Sequence, residues 1–120
     1  MEKIREGKYT KTYASDERTH CNAHNKYEIF GHLESSDISY NKSLLEINFQ
    51  NGPIKEAGVN GVMNEDLISI VIDRMRSFQS SEYACRENAL ALTKLEEALM
   101  WLEKRTADRE LRGVEGTHIV

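Results

Sequence analysis

Four groups of side chains in the second half of this sequence stand where packing alone would not ask for them. Asn88 falls at a position shared with Cys85, Leu92, Leu95, Leu99 and Leu102, so an amide interrupts an apolar helical stripe. A buried amide without partners costs a few kcal/mol, roughly 1–3 by protein mutational data. Asn88 therefore either bonds local backbone and sets a helix–helix register, or reads the polar edge of a ligand such as an adenine or a ribose. Phe78 closes the preceding helical pattern beside a Ser-rich break, near the start of the Asn88 helix. It is either a core residue or a flat face on which a base stacks, worth on the order of 1–3 kcal/mol. Arg105, Arg109 and Arg112 crowd the far end of the same helix with Lys104. They are either a solvated end that complements the helix dipole or a phosphate clamp, since guanidinium matches phosphate oxygens bidentately. Thr117 and His118 come after Gly113 and Gly116 in a tail that either folds over a ligand or frays.

Spacing constrains these candidates. Asn88 and Arg105 are seventeen positions apart on one helix, roughly 26 Å at 1.5 Å per residue. One nucleotide-sized molecule does not span that distance. If both serve one pocket, the second must come from another copy of the chain, and an antiparallel C2 pair would hold two equal pockets.

No catalytic arrangement accompanies these groups. His20-Cys21-Asn22-Ala23-His24 offers only three candidate zinc ligands, and a structural site takes four. Cys21 has no visible base to make it a nucleophile. Gly58-Val59-Asn60-Gly61 lacks the third glycine and the lysine of phosphate-binding loops. Glu96 and Glu97 read as ordinary surface charges. We expect no catalytic residues, no metal and no cofactor.

The candidates need a scaffold, and composition bounds it. The 120 residues are enough for one domain with a modest core. With 39% hydrophobic and 30% charged residues the chain reads as folded and soluble. A net charge of −4 disfavours non-specific duplex nucleic acid, which needs a broad basic surface. No apolar run approaches a membrane span, and Met1-Glu2-Lys3-Ile4-Arg5-Glu6 has no apolar signal region. We therefore expect a cytoplasmic protein whose two cysteines, Cys21 and Cys85, are reduced and structural.

Residues 1 to about 25 are weakly patterned, with Tyr9 to Tyr13 a candidate short edge strand. Lys26 to Leu33 reads as a strand with Tyr27 and Ile29 on one face and Phe30 on the other. Glu34-Ser35-Ser36-Asp37 reads as a turn. Leu44 to Gln50 alternates, with Leu45, Ile47 and Phe49 together. Asn51-Gly52-Pro53 predicts a hairpin turn after which Ile54 to Ala57 pairs back. Asn64 is the expected cap of a helix carrying Leu67, Val71, Met75 and Phe78, widened by Ile68 and Ile72. Ser81 is the expected cap of the second helix, and Gly113 its stop. The fold class is α+β: a small N-terminal antiparallel β-sheet followed by a C-terminal two-helix antiparallel hairpin. We read residues 1–120 as a single domain, β-rich over 1–60 with a hairpin around 51–53, helical over 64–112, and a tail at 113–120.

Several unusual strings occur in order. These are Gln50-Asn51-Gly52-Pro53-Ile54-Lys55-Glu56 with Gly58-Val59-Asn60-Gly61, Asn64-Glu65-Asp66-Leu67, Ala84-Cys85-Arg86-Glu87-Asn88-Ala89-Leu90, and Arg112-Gly113-Val114-Glu115-Gly116-Thr117-His118. Over roughly residues 44 to 118 the chain resembles the first-described type of phage Thoeris anti-defence sponge, which shares a helical hairpin with the anti-CBASS sponges. The resemblance implies a non-enzymatic protein that sequesters cyclic ADP-ribose isomers, including glycocyclic ADP-ribose, made as alarm signals by bacterial TIR-domain enzymes. It implies a sheet followed by two helices, with ligand pockets between protomers, acting in the cytoplasm of the infected bacterial host. By similarity Phe78 stacks on adenine, Asn88 bonds a base or ribose, and Arg105 holds the pyrophosphate. Arg109, Arg112, Thr117 and His118 join these from their position beside Arg105. Some members form hexamers and hold cyclic oligonucleotides at separate sites, so dimer and hexamer both stay open for this chain. Against the sponge stand a nucleotide hydrolase using His118 and an acidic residue, and a purely structural oligomeric module.

Overall fold

The computed structural model describes residues 1–19, 21–31 and 42–120. His20 and the Glu34–Asp37 turn lie outside the described residues, as do the last two residues of the expected 26–33 strand. The chain packs as two compact units. One comprises Met1–Asn51 with Val59–Gly61, the other Gly52–Gly58 with Val62–Val120.

The first unit is a four-stranded antiparallel sheet in the order β1-β2-β3-β4, with β1 at Glu2–Glu6, β2 at Thr10–Ala14, β3 at Lys26–Gly31 and β4 at Ser43–Asn48. Tyr27 stands opposite Ile47, and Ile29 opposite Leu45. The alternation read from the sequence therefore matches the faces of the sheet. Tyr13 and Phe30 meet edge-to-face on the other side at 5.9 Å between ring centroids. The expected edge strand around Tyr9–Tyr13 is instead β2, which pairs on both sides. The edge belongs to β1, whose residues are all exposed. Its sequence, Glu-Lys-Ile-Arg-Glu, buries no face, so no alternation announces it.

A buried histidine ties β1 down at its start. His24 Nε2 lies 2.6 Å from Glu2 Oε2 and its Nδ1 lies 2.7 Å from the Asp16 carbonyl oxygen. Both ring nitrogens face acceptors, so both must donate, which requires the imidazolium form. The Glu2 hydrogen bond accordingly raises the His24 pKa above its usual value, with the Asp16 carbonyl adding to it. The same contact lowers the Glu2 carboxyl, helped by Arg18 at 3.6 Å.

After β4 the chain does not turn into a further strand. Ile54–Ala57 is a single helical turn, α1, and not the returning strand of a hairpin. Gly52 takes positive φ as its Asn-Gly context suggests. Pro53 then stands at the N-cap, and its carbonyl accepts from Ala57 N at 2.7 Å, while Gly58 at φ 72 ends the turn. Strand-like closure comes from a side chain instead. Asn60 accepts from Asn51 N at 2.8 Å and donates to Asn51 O at 2.7 Å, filling both backbone valences of one residue. Gly61 then lies so close to β4 that a Cβ there would stand 2.4 Å from the Phe49 carbonyl carbon.

The second unit is built on α2 (Asn64–Gln79) and α3 (Arg86–Leu111). The N-cap of α2 is Met63 rather than Asn64, with Asp66 accepting from Met63 N at 2.8 Å. The N-cap of α3 is Cys85 rather than Ser81, its sulfur accepting from Asn88 N at 3.4 Å. Ser81 is spent in the connecting turn, donating to Phe78 O and accepting from Tyr83 N. The connection is closed by Gln79, whose amide both accepts from Cys85 N at 3.1 Å and donates to Cys85 O at 3.2 Å. Gly113 at φ 71 comes directly after the C-cap Arg112, as expected. Ile72 is the one buried hydrophobic residue of this unit.

The His24 contact has a testable pH signature. A raised histidine pKa contributes stability that is full below about pH 6.5, its unfolded value, and is lost as pH rises through the folded one. The lowered Glu2 pKa contributes above its ordinary range and fades as pH falls through its folded value. Amide exchange in β1, corrected for intrinsic rate, should therefore be slowest at mildly acidic pH and faster at pH 8.5. His24→Gln should remove most of that pH dependence.

Candidate functional site

α3 is ten residues longer than the helix it pairs with. Since the two run antiparallel from a short connection, the C-terminal part of α3 projects beyond the start of α2, by roughly 15 Å. By residue count the overhang begins near Trp101. A projecting helix end leaves side chains unclaimed, and this is where the basic residues lie.

The tail folds back along the overhang, and Arg109 holds it there. Leu92, Leu95, Leu99, Leu102 and Thr106 are the half-buried positions of the α3 stripe, and Arg109 continues it at helical spacing. The Arg109 side chain is buried. Its Nε donates to Glu115 Oε2 at 3.0 Å, Nη1 to Ile119 O at 2.8 Å, and Nη2 to Val114 O at 3.0 Å and Thr117 O at 3.2 Å. One guanidinium thus organises most of the tail. Thr117 turns inward, its hydroxyl donating to Val114 O. Arg112 donates to the Val120 carbonyl oxygen. On the far side of the tail, Lys55 N of α1 donates to Gly116 O at 2.8 Å, and His118 Nδ1 meets Glu56 Oε1 at 2.7 Å. The tail is therefore strapped down on two sides, and Gly116 at φ 77 gives it the bend.

Between the tail and α3 runs an open groove of about 580 Å³. Arg105, Arg109, Arg112, Thr117 and His118 all line it, so five of the seven residues singled out in the sequence converge there. Lys104, which stands with the arginines in sequence, lines it too, as does Trp101, which no sequence context marks as a functional group. The cations of the groove differ in what they have free. Arg109 has spent its donors on the tail. Lys104 pairs with Asp108 at 2.9 Å, an exposed i,i+4 contact of small worth. Arg105 is exposed and, among the described residues, carries no ion pair or hydrogen bond from its guanidinium. It is the uncommitted arginine of the groove.

Phe78 and Asn88 lie at the other end of the hairpin. Phe78 is half-buried, with the Arg74 guanidinium 4.9 Å from its ring centroid. Asn88 occupies the first turn of α3 and is half-buried. Its backbone N–H goes to Cys85, while its side-chain amide meets no partner among the described residues. The Asn88 amide therefore makes no local backbone bond; its main-chain N–H alone is engaged, by the Cys85 sulfur.

Elsewhere, Cys21 is exposed and its thiol lies below the usual range because the Thr19 hydroxyl is 3.2 Å away. Among the described residues no three His, Cys, Asp or Glu converge on a metal-sized site.

The Arg109 arrangement yields a clear expectation. Arg109→Ala should destabilise the helical unit by about 2–4 kcal/mol, the cost of losing buried charge-assisted bonds. It should also free the tail, which limited proteolysis would show as early cleavage after residue 112. Arg105→Ala should do neither.

Comparison with known proteins places this architecture. The model of the Acb2/Tad1 hairpin domain matches residues 41–107, which takes in β4, α1, α2 and most of α3. A protein of Bacillus phage SBSphiJ7, named Thoeris anti-defense 1, is 71% identical over 75 residues, covering 62% of this chain and 53% of that protein. The chain thus matches about half the length of this curated relative. With more than half of its residues matched by the family model, the chain belongs to the Acb2/Tad1 hairpin-domain family.

Proposed function

We propose that this chain is a phage counter-defence protein that binds and holds a cyclic ADP-ribose isomer such as glycocyclic ADP-ribose, without turning it over, in the cytoplasm of the infected host. Its strong identity to a phage protein named for Thoeris anti-defence supports the biological role. The observation that carries the chemistry is the pairing of two polar groups uncommitted within the chain, the Asn88 amide and the Arg105 guanidinium, at opposite ends of one helix. Each end is half a site. Phe78 and Asn88 offer a stacking face and a base or ribose contact, while Arg105, backed by Arg109, Arg112, Thr117 and His118, offers a cationic groove for the pyrophosphate. Roughly 26 Å of helix separates the halves, so an antiparallel homodimer closes two pockets by setting one chain's groove against the other's hairpin turn.

The distribution of apolar surface supports assembly. Ala14 and Ile72 are the buried hydrophobic residues among those described, while Ile70, Val71, Leu90 and Met100 on the helices are exposed. A chain of this size needs more apolar burial than that, and association supplies it. Larger assemblies, hexamers included, and a separate site for cyclic oligonucleotides are compatible extensions of the same surface. A sponge needs slow release and gains nothing from favouring a transition state.

Retention tests the proposal. The chain is mixed with glycocyclic ADP-ribose, filtered, and heated to release what it holds. Recovery of unchanged ligand at one molecule per pocket is expected. Turnover would favour a nucleotide hydrolase using His118, and no retention would leave a structural module. Phe78→Ala and Arg105→Ala should each weaken retention by about 10- to 100-fold, the worth of a stacked base or a charge-assisted bond. The mass of the assembly in solution should not change.

A further inference from the structure

Trp101 is the sole tryptophan of the chain and 56% of it is exposed. An indole on a helix surface leaves a large apolar face in water, which folding alone does not favour. Its position is informative. It lines the groove that Arg105 lines, four residues earlier, one helical turn away on the same side of α3. One turn is roughly 6 Å along the helix axis, the reach of a ribose between a base and its phosphate. The opposite wall of the groove is the tail held by Arg109, with Thr117 and Ile119 bordering the space. A planar aromatic face beside an unpaired guanidinium, in a groove with a fixed wall, is the combination that takes a nucleotide: the ring stacks on the base and the cation meets the phosphate.

We propose that Trp101 is a base-stacking residue, which covers the face of the ligand's adenine that Phe78 leaves open, from the same chain that supplies Arg105. The inference rests on the sponge reading and adds a second aromatic wall to it. A base held on one face exchanges with water from the other. A base held on both loses its stack only when the two protomers part or the ligand slides out edgewise, so the second wall acts on release more than on capture.

The lone tryptophan makes the test direct. Intrinsic fluorescence of the full-length chain is titrated with glycocyclic ADP-ribose and, separately, with inorganic pyrophosphate. Quenching that saturates at one glycocyclic ADP-ribose per pocket, with no quenching by pyrophosphate, is expected. Trp101→Ala should release the ligand at least tenfold faster than the parent, and Trp101→Phe should restore most of the difference, with assembly mass unchanged in both. Should Trp101→Ala disturb the assembly, the base-dependent quenching of the parent decides. Retention by the parent with unchanged emission, or release from Trp101→Ala at the parent's rate, overturns the role of Trp101 and leaves the sponge intact. Failure of the parent to retain the ligand overturns both.

Discussion

The overhang of α3 is the constraint on which the site depends. A helix buries its apolar stripe only where another element lies against it. α2 covers the first part of α3 and then runs out. Beyond that point the chain has two ways to satisfy the stripe: return a segment of its own, or leave the surface for another copy. It does the first with the tail, and the residue that makes this possible is Arg109. An apolar residue there would bury against the tail but leave the carbonyls of Thr117 and Ile119 without their Arg109 donor. A guanidinium fills the stripe position and supplies several donors in a fixed fork.

The same economy recurs wherever the chain turns sharply. Asn60 takes both backbone valences of Asn51, and Gln79 takes both of Cys85. In each case a side-chain amide acts as a one-residue strand, closing a bend without a second strand or a longer helix. These bonds lie at exposed bends, where they fix the backbone without a further element. Shape at the bends is set by hydrogen bonds, and the apolar stripes are left for surfaces that meet other elements.

Much of this architecture is legible in sequence. Hydrophobic periods of two and of about three and a half residues are written directly by which positions face inward, so β3, β4, α2 and α3 can be read, including the inward setting of Asn88. β1 cannot, because an edge strand exposed on every residue has no period to show. α1 escapes a local reading because Asn-Gly-Pro signals a turn without specifying the next element, and the deciding partner, Asn60, lies nine residues from Asn51. Residue preference puts the α3 cap at Ser81, whereas Cys85, a poor acceptor, holds the position since Ser81 is used in the connecting turn. For the site, sequence brings five groove residues together but assigns Arg105, Arg109 and Arg112 one role. A signal separating them is present: Leu102, Thr106 and Arg109 continue the apolar stripe, and Arg105 falls outside it.

Under the proposed function, that separation bears on how the chain can be both stable and retentive. Two arginines four residues apart in sequence do opposite work. Arg109 is enclosed, so its charge is compensated within the chain whether or not a ligand is present, and it fixes the groove wall before binding. Arg105 is solvated and uncommitted, so its interaction free energy is realised only when an anion arrives. If both were buried, the ligand would have to displace existing bonds and affinity would fall. If both were solvated, the tail would have to be ordered at each binding event, at a cost of about 1–2 kcal/mol per backbone residue fixed. In the proposed sponge, preordering the wall and leaving one cation free avoids both losses.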